Sequence, residues 1–495
     1  MREGRIRRRR PAALLAVAVL LCVGGPVSAQ TGGAARVADT VRLSLPEALA
    51  LAGTRSEEVR GAEAQVRGAN AQARVARSAL LPQVNTQLVY TRALRSVFQD
   101  AGFEVPDSLR FEPDSTASVE QRIRYLEDNT PNAAFGALGS LFGNLPFGRE
   151  HTWVAAATVS QPLFSGGRIA SGVQLAEHAA NAARAQLDEA RAEVALQVRE
   201  AYYGARLAED AEVIVAASVA LAREHLARVR LVHESGQASE LDVLRAEVEL
   251  DNLQPQLAQA ANARQLALLN LKRLVNLPAD APLVLTTELD PADPALPHPD
   301  SIVLPTLAAA EPLLRRRAAV RAAEQQVEMR REQADMARAA FLPSVALTGN
   351  FQRQAFPTGF APQDWRDDWN VGFAVSWPLF QGFRRGAELD VARADVRQAE
   401  LQTDQLREAV RLEYEQASGE LQRARLQIAA AARTVTQAVR VYELTELRFR
   451  EGLATQLDVS DARLALQQAR MNEANATHDF YRALARAERA LGIQR

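Results

Sequence analysis

Hydrophobic and polar residues follow two different periods along this chain, and the longer period marks a very long helix. From Tyr414 onward, apolar residues recur in steps of three and four, and large side chains alternate with alanine. This pattern is typical of a helix that packs closely against a neighbouring helix. The positions are Tyr414, Ala417, Leu421, Ala424, Ile428, Ala431, Val435, Ala438 and Tyr442. We predict one helix over residues 384–450, about 100 Å long at 1.5 Å per residue.

A period of two marks residues 369–379 as a strand. One face carries Trp369, Val371, Phe373, Val375 and Trp377, and the other carries Asn370, Gly372, Ala374 and Ser376. An apolar outer face and a small or polar inner face are typical of a transmembrane β-barrel. The two tryptophans would lie about 26 Å apart, close to the apolar band of about 25 Å in such barrels. We therefore predict a lipid-interface girdle of Trp153, Trp369 and Trp377. A soluble sandwich strand would also alternate, although only four such strands are predicted.

The chain contains an internal duplication. Several residues recur after 216 positions, namely Trp153 and Trp369, Pro162 and Pro378, Gly236 and Gly452, and Asp242 and Asp458. An offset kept over so many positions indicates a repeat. We predict a first repeat over residues 30–276, a proline-rich equatorial linker over 277–305 and a second repeat over 306–495. Each repeat reads as helix, strand, strand, very long helix, sharp turn and helix.

Element bounds follow most clearly in the second repeat. They are a helix at 307–340, strands at 344–352 and 369–379, the long helix at 384–450, a turn at 451–452 and a helix at 455–491. The motif LLPQV at Leu80 recurs as FLPSV at Phe341 after 261 residues, so the first repeat carries an insertion of 45 residues. The insertion falls within residues 93–151, which contain several prolines and read as a long loop.

The N-terminus has the features of a secretory signal. Residues 1–29 combine a cationic start, an apolar stretch and the small residues Val27, Ser28 and Ala29 before Gln30. No later run of 18 apolar residues appears, so a membrane span would have to be a β-barrel. Four strands cannot close a barrel, and open edges are not tolerated in lipid. Two chains would give eight strands and a filled interior, whereas three would give twelve and a lumen. A trimer is favoured for a conduit.

Composition and motifs exclude several classes of function. The net charge of -2 provides no basic field for nucleic acid. Lys272 is the only lysine and follows Leu271, so the chain has no GxxxxGK phosphate loop. His225 and His233 do not form a metal-binding HExxH pair, and no GxSxG motif occurs. We therefore expect no enzyme activity, no cofactor and no metal.

The order and duplication of these motifs resemble the TolC-like outer-membrane efflux proteins. The resemblance rests on PLFSGGR and PLFQGFR where strands end, and on SGQASELDVLRAEVEL and EGLATQLDVSDARLAL at the sharp turns. It implies a mainly α protein with a small β part. In that arrangement, a homotrimeric twelve-stranded barrel in the outer membrane, four strands per chain, continues into a long periplasmic α-helical barrel. It also implies an exit duct for drugs, metals or proteins, with a periplasmic adaptor and an inner-membrane pump as partners.

Two kinds of bend are expected along the duct. Pro162 and Pro378 are predicted to end strands that leave the membrane, and Gly166 and Gly382 to let the backbone turn into the long helices. Gly236 and Gly452 mark the sharp turns at the periplasmic tip.

Acidic residues follow the tip turns. By resemblance, Asp458 and Asp461 match an acidic ring that narrows the pore, and their counterparts in the first repeat are Asp242 and Arg245. Asp242 and Asp458 also fit capping boxes that begin with Ser239 and Thr455, a structural role that needs no pore. Phe449 and Ala454 replace a tyrosine and an arginine that lock the tip in some relatives, so the lock stays open to question.

A second class of function is a periplasmic coiled-coil scaffold or adhesin that does not conduct. The sequence names neither the cargo nor the pump.

Overall fold

The structure, a computed structural model, describes residues 41–95, 114–130, 149–236, 238–290 and 296–493. The predicted signal peptide lies outside these ranges. The helices are α1 (Leu45–Arg55), α2 (Glu57–Ser78), α3 (119–130), α4 (Arg168–Glu234), α5 (Glu240–Leu274), α6 (Leu307–Arg315), α7 (Ala318–Ala339), α8 (Arg384–Arg450) and α9 (Gln456–Ala490). The strands are β1 (Val41–Leu43), β2 (Gln83–Arg92), β3 (His151–Phe164), β4 (Leu283–Leu285), β5 (Ser344–Ala355) and β6 (Arg366–Ser376). The fold is mainly helical with a small sheet part.

Two long helical hairpins dominate the molecule. Helix α8 has the predicted bounds, and α4 has the same length of 67 residues. Each returns through a tight turn into a helix of 35 residues, α5 or α9. The turns need glycine, because φ is +78° at Gly236 and +72° at Gly452. The predicted seam is confirmed: it is buried from Tyr414 to Ile428 and half-buried from Ala431 to Tyr442.

The helix predicted over residues 307–340 is wrong in one respect, because it is broken. Helix α6 ends at Arg315 and α7 begins at Ala318, and Arg317 between them has an extended backbone. Pro312 weakens α6, since it cannot donate a helical hydrogen bond. Ser56 separates α1 from α2 in the same way. Its backbone angles, φ −55° and ψ 133°, are close to the φ of −57° and ψ of 141° at Arg317.

The equatorial core lies where the helices meet the linker. Strands β1 and β4 pair in parallel there. The hydroxyl of Tyr202, on α4, donates to the carbonyl of Leu43 at 3.0 Å and accepts from the amide of Thr287 at 3.0 Å. Tyr202 is fully buried and shares one core with Phe480 and Tyr481 of α9. This core fixes the linker against both hairpins.

A four-stranded antiparallel sheet lies at the start of the long helices α4 and α8, the end opposite the tight turns. Its order is β2-β3-β5-β6, which leaves β2 and β6 as edges. The strand predicted at 369–379 is displaced, because β6 starts at Arg366 and ends at Ser376. Residues Arg366 to Asp368 pair with Gln354 to Gln352 of β5, and this pairing extends the strand beyond its apolar run. Trp377 therefore lies just after the strand.

The predicted loop at 93–151 is partly helical. The connection runs between the end of β2 at Arg92 and the start of β3 at His151, close to the expected bounds. Within it, residues 119–130 form α3. Residues 96–113 and 131–148 lie outside the described ranges.

Candidate functional site

The sheet has one apolar face and one polar face, and strand register shows it. Direct cross-strand partners share a face, so the pairs Tyr90 with Trp153, Phe351 with Trp369 and Leu347 with Phe373 lie together. The apolar face carries Val84, Leu88, Tyr90, Trp153, Val159, Leu347, Phe351, Trp369, Val371, Phe373 and Val375. The polar face carries Asn85, Gln87, Thr158, Ser160, Thr348, Asn350, Gln352, Asn370 and Ser376. The apolar side chains of β6 are more than half exposed in the single chain.

The predicted girdle tryptophans occupy both ends of the sheet. Trp153 packs 4.8 Å from the ring of Tyr90 and 5.4 Å from that of Phe360, whose carbonyl accepts from its indole at 2.8 Å. Trp369 packs on Phe351 with ring centroids 4.5 Å apart. At the helical end, the indole of Trp377 donates to the carbonyl of Phe341 at 3.2 Å. These contacts orient the rings, while their place at a lipid interface stays a prediction.

The first junction differs from the prediction at its proline. Pro162 does not end β3, which continues to Phe164 with a register shift against β5 around the proline. Such a shift accommodates a residue that cannot donate to the ladder. Gly166 follows with φ +62°, and a Cβ there would lie 2.7 Å from Cβ of Leu342. Position 166 therefore requires glycine for two reasons, its left-handed backbone conformation and its close packing against Leu342.

The second junction reaches the same bend with different residues. Pro378 lies two residues after the end of β6, and Gly382 has φ +59° with open space around it. Phe383 caps α8 and also has a positive φ of 64°. The guanidinium of Arg385 donates to the carbonyls of Ala340 at 3.2 Å and Leu379 at 2.8 Å. These bonds tie the start of α8 to the strand exit.

At the helical tip, the two predicted capping boxes are present. The carboxylate of Asp242 accepts from the hydroxyl of Ser239 at 2.7 Å, and that of Asp458 accepts from the amide and hydroxyl of Thr455, both at 2.7 Å. The hydroxyl bonds are the main reason that the pKa of each carboxyl lies below its usual value. Both aspartates therefore act as caps whether or not they also face a pore.

Asp461 and Arg245 are the tip residues without a capping role. Both are exposed, and neither forms a hydrogen bond or ion pair within the described ranges. Arg245 lowers the pKa of Asp242 by its nearby charge. Of the pair Asp458 and Asp461, Asp461 is therefore the carboxylate without a hydrogen-bond partner in the described ranges. Its position in a pore ring stays a prediction.

Near the tip, the structure reveals a buried ionic cluster that sequence reasoning missed. Arg228 of α4 pairs with Glu446 of α8, and Arg463 of α9 pairs with Glu249 of α5. Glu446 is 7% exposed and Arg463 is 6% exposed. A signal existed, because Glu446 continues the seam four residues after Tyr442. A charged residue within an apolar seam indicates a partner of opposite charge on the neighbouring helix.

His225 completes the cluster. It is buried on α4, and its ring packs 5.2 Å from that of Phe449, the residue that replaces the tyrosine of some relatives. Neither ring nitrogen has a hydrogen-bond partner within the described part of the chain. Burial, together with the charges of Arg463 and Arg228, lowers the pKa of His225 to about 4. The ring is therefore neutral at pH 7.

The described ranges contain no cluster of three or more histidine, aspartate or glutamate side chains arranged for a metal ion. In the same ranges, no helix combines the length and the apolar character of a membrane span.

Comparison with known proteins gives a consistent family match. The family profile described as Outer membrane efflux protein matches residues 48–277 and 310–493. The chain is 28% identical over 357 residues to the alkaline protease secretion protein AprF of Pseudomonas aeruginosa, covering 69% of this chain and 70% of that protein. It is 27% identical over 278 residues to the toluene efflux pump outer membrane protein TtgI of Pseudomonas putida, covering 53% of this chain and 55% of that protein.

The fold also matches a solved outer membrane protein. VceC from Vibrio cholerae superimposes with a TM-score of 0.68 over 90% of this chain and 96% of that chain, at 20% identity. At this identity, the match shows the shared fold alone.

Proposed function

Because the chain belongs to the outer membrane efflux protein family, we propose that it is the exit duct of a tripartite efflux or type I secretion system. The chain is an outer-membrane protein with a large periplasmic helical part. In our proposal it conducts substrates passively from a periplasmic adaptor and an inner-membrane pump to the exterior. The observation that carries this proposal is the two-faced sheet joined directly to helices of 67 residues.

The sheet supports assembly as a homotrimer. Strands β2 and β6 leave their outer edges unpaired in the single chain, and unpaired backbone groups are not tolerated in lipid. Pairing β6 of one protomer with β2 of the next satisfies both edges. Three copies give a closed barrel of twelve strands with room for a lumen, and two copies give eight strands with a filled interior. The polar face would line the lumen and the apolar face would contact lipid.

The proposed topology places the insertion outside the cell. Both long helices leave the same end of the sheet, so the connection between β2 and β3 lies at the other end. A small epitope inserted near Asp114 should be labelled on intact cells. Labelling only after disruption of the outer membrane would contradict the topology.

The lumen wall supports a duct with little selection of its own. Between the level of Asp368 and the long helices, the polar face of the sheet carries amides, hydroxyls and small residues and no charged side chain. We therefore propose that cargo is selected by the pump. The names of AprF and TtgI refer to protease secretion and to toluene efflux, and we expect the cargo of this chain to be a drug, a metal or a protein.

The proposal is tested with purified protein in planar bilayers. A duct should give trimers that dissociate on heating and discrete conductance steps. A protein that is extracted without detergent and does not conduct would instead support a periplasmic scaffold or adhesin.

A further inference from the structure

Two arginines lie on the apolar face of the sheet, where charge is least expected. Arg92 pairs with His151, two residues before Trp153, and Arg353 pairs with Asp367, two residues before Trp369. Both arginines therefore share a face with the tryptophans. On the lipid side of a barrel, arginine is costly at the midplane of the bilayer but costs little near the interfaces. Their place on this face calls for a position at an interface and for an anionic partner.

Strand register puts the arginines at the level of the tryptophans. Trp153 pairs with Ala355, and Trp369 pairs with Phe351, so the two tryptophans differ by four residues across two strand boundaries. A barrel tilt of about 35–45° shifts positions of equal height by about 3 to 5 Å per strand. On the neighbouring strand, the residue of the same face that lies closest to this height is therefore two positions away from the direct cross-strand partner. If both tryptophans lie at one interface, each strand boundary adds a step of two residues.

The same offset of two residues per strand boundary also connects both arginines to the tryptophans. Arg353 lies two residues from Ala355, the partner of Trp153, and Arg92 pairs with the residue two before Trp153. One row thus crosses the sheet in the order Arg92, Trp153, Arg353 and Trp369. We call it the Arg–Trp row. It lies near the end of the sheet that is remote from the long helices.

Each guanidinium group has an acidic partner but keeps nitrogen atoms that can donate further hydrogen bonds. Arg92 pairs with Glu150 at 2.6 Å, and Nε of Arg353 donates to Asp367 at 2.6 Å. Arg353 also lies 5.8 Å over the ring of Trp365. Its two terminal nitrogens have no hydrogen-bond partner within the described residues. Exposed ion pairs of this kind are weak, so a phosphate can compete for these arginines.

We propose that the Arg–Trp row binds the phosphate groups of lipid in the outer leaflet. Arginine binds phosphate through two parallel hydrogen bonds, and tryptophan fits the boundary between headgroups and acyl chains. Alternation places an indole beside each guanidinium, so one lipid can contact both. This inference rests on the proposed barrel, and three protomers would carry six such arginines.

The test compares lipid binding by trimers in detergent. The probe is bisphosphorylated lipid A, counted by native mass spectrometry, with the dephosphorylated lipid as reference. Wild-type trimer should prefer the phosphorylated lipid, and the double variant Arg92→Gln/Arg353→Gln should bind it at least about tenfold more weakly. Arg366→Gln is the matched control, because Arg366 lies at the same end of the sheet on the polar face. It should bind as wild type does.

Three results would overturn the inference. One is equal binding by the double variant, and another is equal binding of the dephosphorylated lipid. The third is displacement of lipid A by millimolar inorganic phosphate, which would show a site for the free anion. If chelation of divalent cations abolishes binding while the double variant still binds, carboxylates bridged by cations hold the lipid instead. If the double variant does not assemble, the single variants should each show part of the loss.

A separate measurement distinguishes failure of the barrel from failure of the lipid site. In a Trp365→Phe/Trp377→Phe background, brominated lipid should quench the fluorescence of Trp153 and Trp369. Absence of quenching would contradict the barrel itself. Quenching with unchanged lipid A binding in the double variant would contradict the phosphate site alone.

Discussion

The buried Arg463 on α9 is ion-paired with the half-buried Glu249 on α5, so a charge pair joins the two helical hairpins near the tip. The hydroxyl of Ser460 donates to the second oxygen of Glu249 at 2.6 Å. A polar contact therefore adds to the apolar packing between the hairpins here. Removal of one partner would leave the other charge buried and uncompensated.

We predict that Glu249→Ala lowers the free energy of unfolding by about 3–5 kcal/mol. The matched control is Glu247→Ala, which removes the partner of the exposed Arg230 at 2.6 Å and should cost about 0–1 kcal/mol. Denaturant unfolding of the trimer, followed by the helical circular dichroism signal, measures both. Similar losses in the two variants would show that the Arg463 pair contributes no more than a surface pair.

His225 should make the tip sensitive to acid. Its pKa is about 4 in the folded chain and about 6.5 when unfolded, so the unfolded state binds more protons between these values. Stability from the neutral ring is present above pH 6.5 and is lost as the pH falls toward 4. The loss is of order 3 kcal/mol at most. Melting temperatures measured from pH 7 to pH 4 should fall in the wild type and fall less in His225→Gln.

His233 is the control for this pH dependence. It is exposed, and its ring contacts the carbonyl of Ala238 at 2.8 Å. His233→Gln should keep the acid sensitivity of the wild type. An unchanged pH profile in His225→Gln would instead assign the effect to other groups.

Much of this architecture follows from periodicity, and the exceptions have physical causes. The seam from Tyr414 predicts α8 because every position of the seam is buried or half-buried in the folded chain. Strand limits were less accurate, since pairing with Gln352 to Gln354 extends β6 over charged residues that show no apolar alternation. The break at Arg317 escaped detection because the partners of that arginine, Glu189 and Glu413, are far away in sequence. The partners within the cluster at His225 are also far apart in sequence, and only Glu446, a charge on the seam, indicates it.

The junction glycines should differ in tolerance. Gly166→Ala places a methyl group 2.7 Å from Cβ of Leu342 and 2.9 Å from the carbonyl oxygen of Ala339, in addition to strain at φ +62°. We expect a loss of about 2–4 kcal/mol from overpacking and strain together. Gly382→Ala meets open space and should lose only about 1–2 kcal/mol through its left-handed backbone. Thermal melting of the two variants compares them, and equal losses would show that packing against Leu342 does not matter.

The two faces of β6 should respond differently to charge. Arginine at Val371, which pairs with Gly349 on the apolar face, should cost about 2–4 kcal/mol in the membrane. Arginine at Ala374, on the polar face, should be tolerated better because it would reach the aqueous lumen. The measurement is the yield and heat stability of trimers in outer membranes. Equal damage by Val371→Arg and Ala374→Arg would contradict the assigned faces.

The last prediction separates capping from conduction at the tip. The carboxylate of Asp458 accepts two hydrogen bonds from Thr455, both at 2.7 Å, and the amide of Asp458 donates to the hydroxyl of Thr455 at 3.2 Å, which completes the capping box. Asp458→Ala should therefore cost about 1 kcal/mol of local stability. Asp461 has no partner in the described ranges, so Asp461→Ala should leave stability unchanged. In a trimer, three copies of its carboxylate would attract cations at the constriction.

The reversal potential across a salt gradient distinguishes the two roles. Cation selectivity should fall in Asp461→Ala, and it should fall further when Asp458 is also replaced if both rings face the pore. Asp242→Ala is the control, because Asp242 is a cap with Arg245 close enough to lower its pKa, and its loss should change selectivity least. If Asp461→Ala conducts with wild-type selectivity, Asp461 does not line the constriction, and the duct is left without an identified acidic gate.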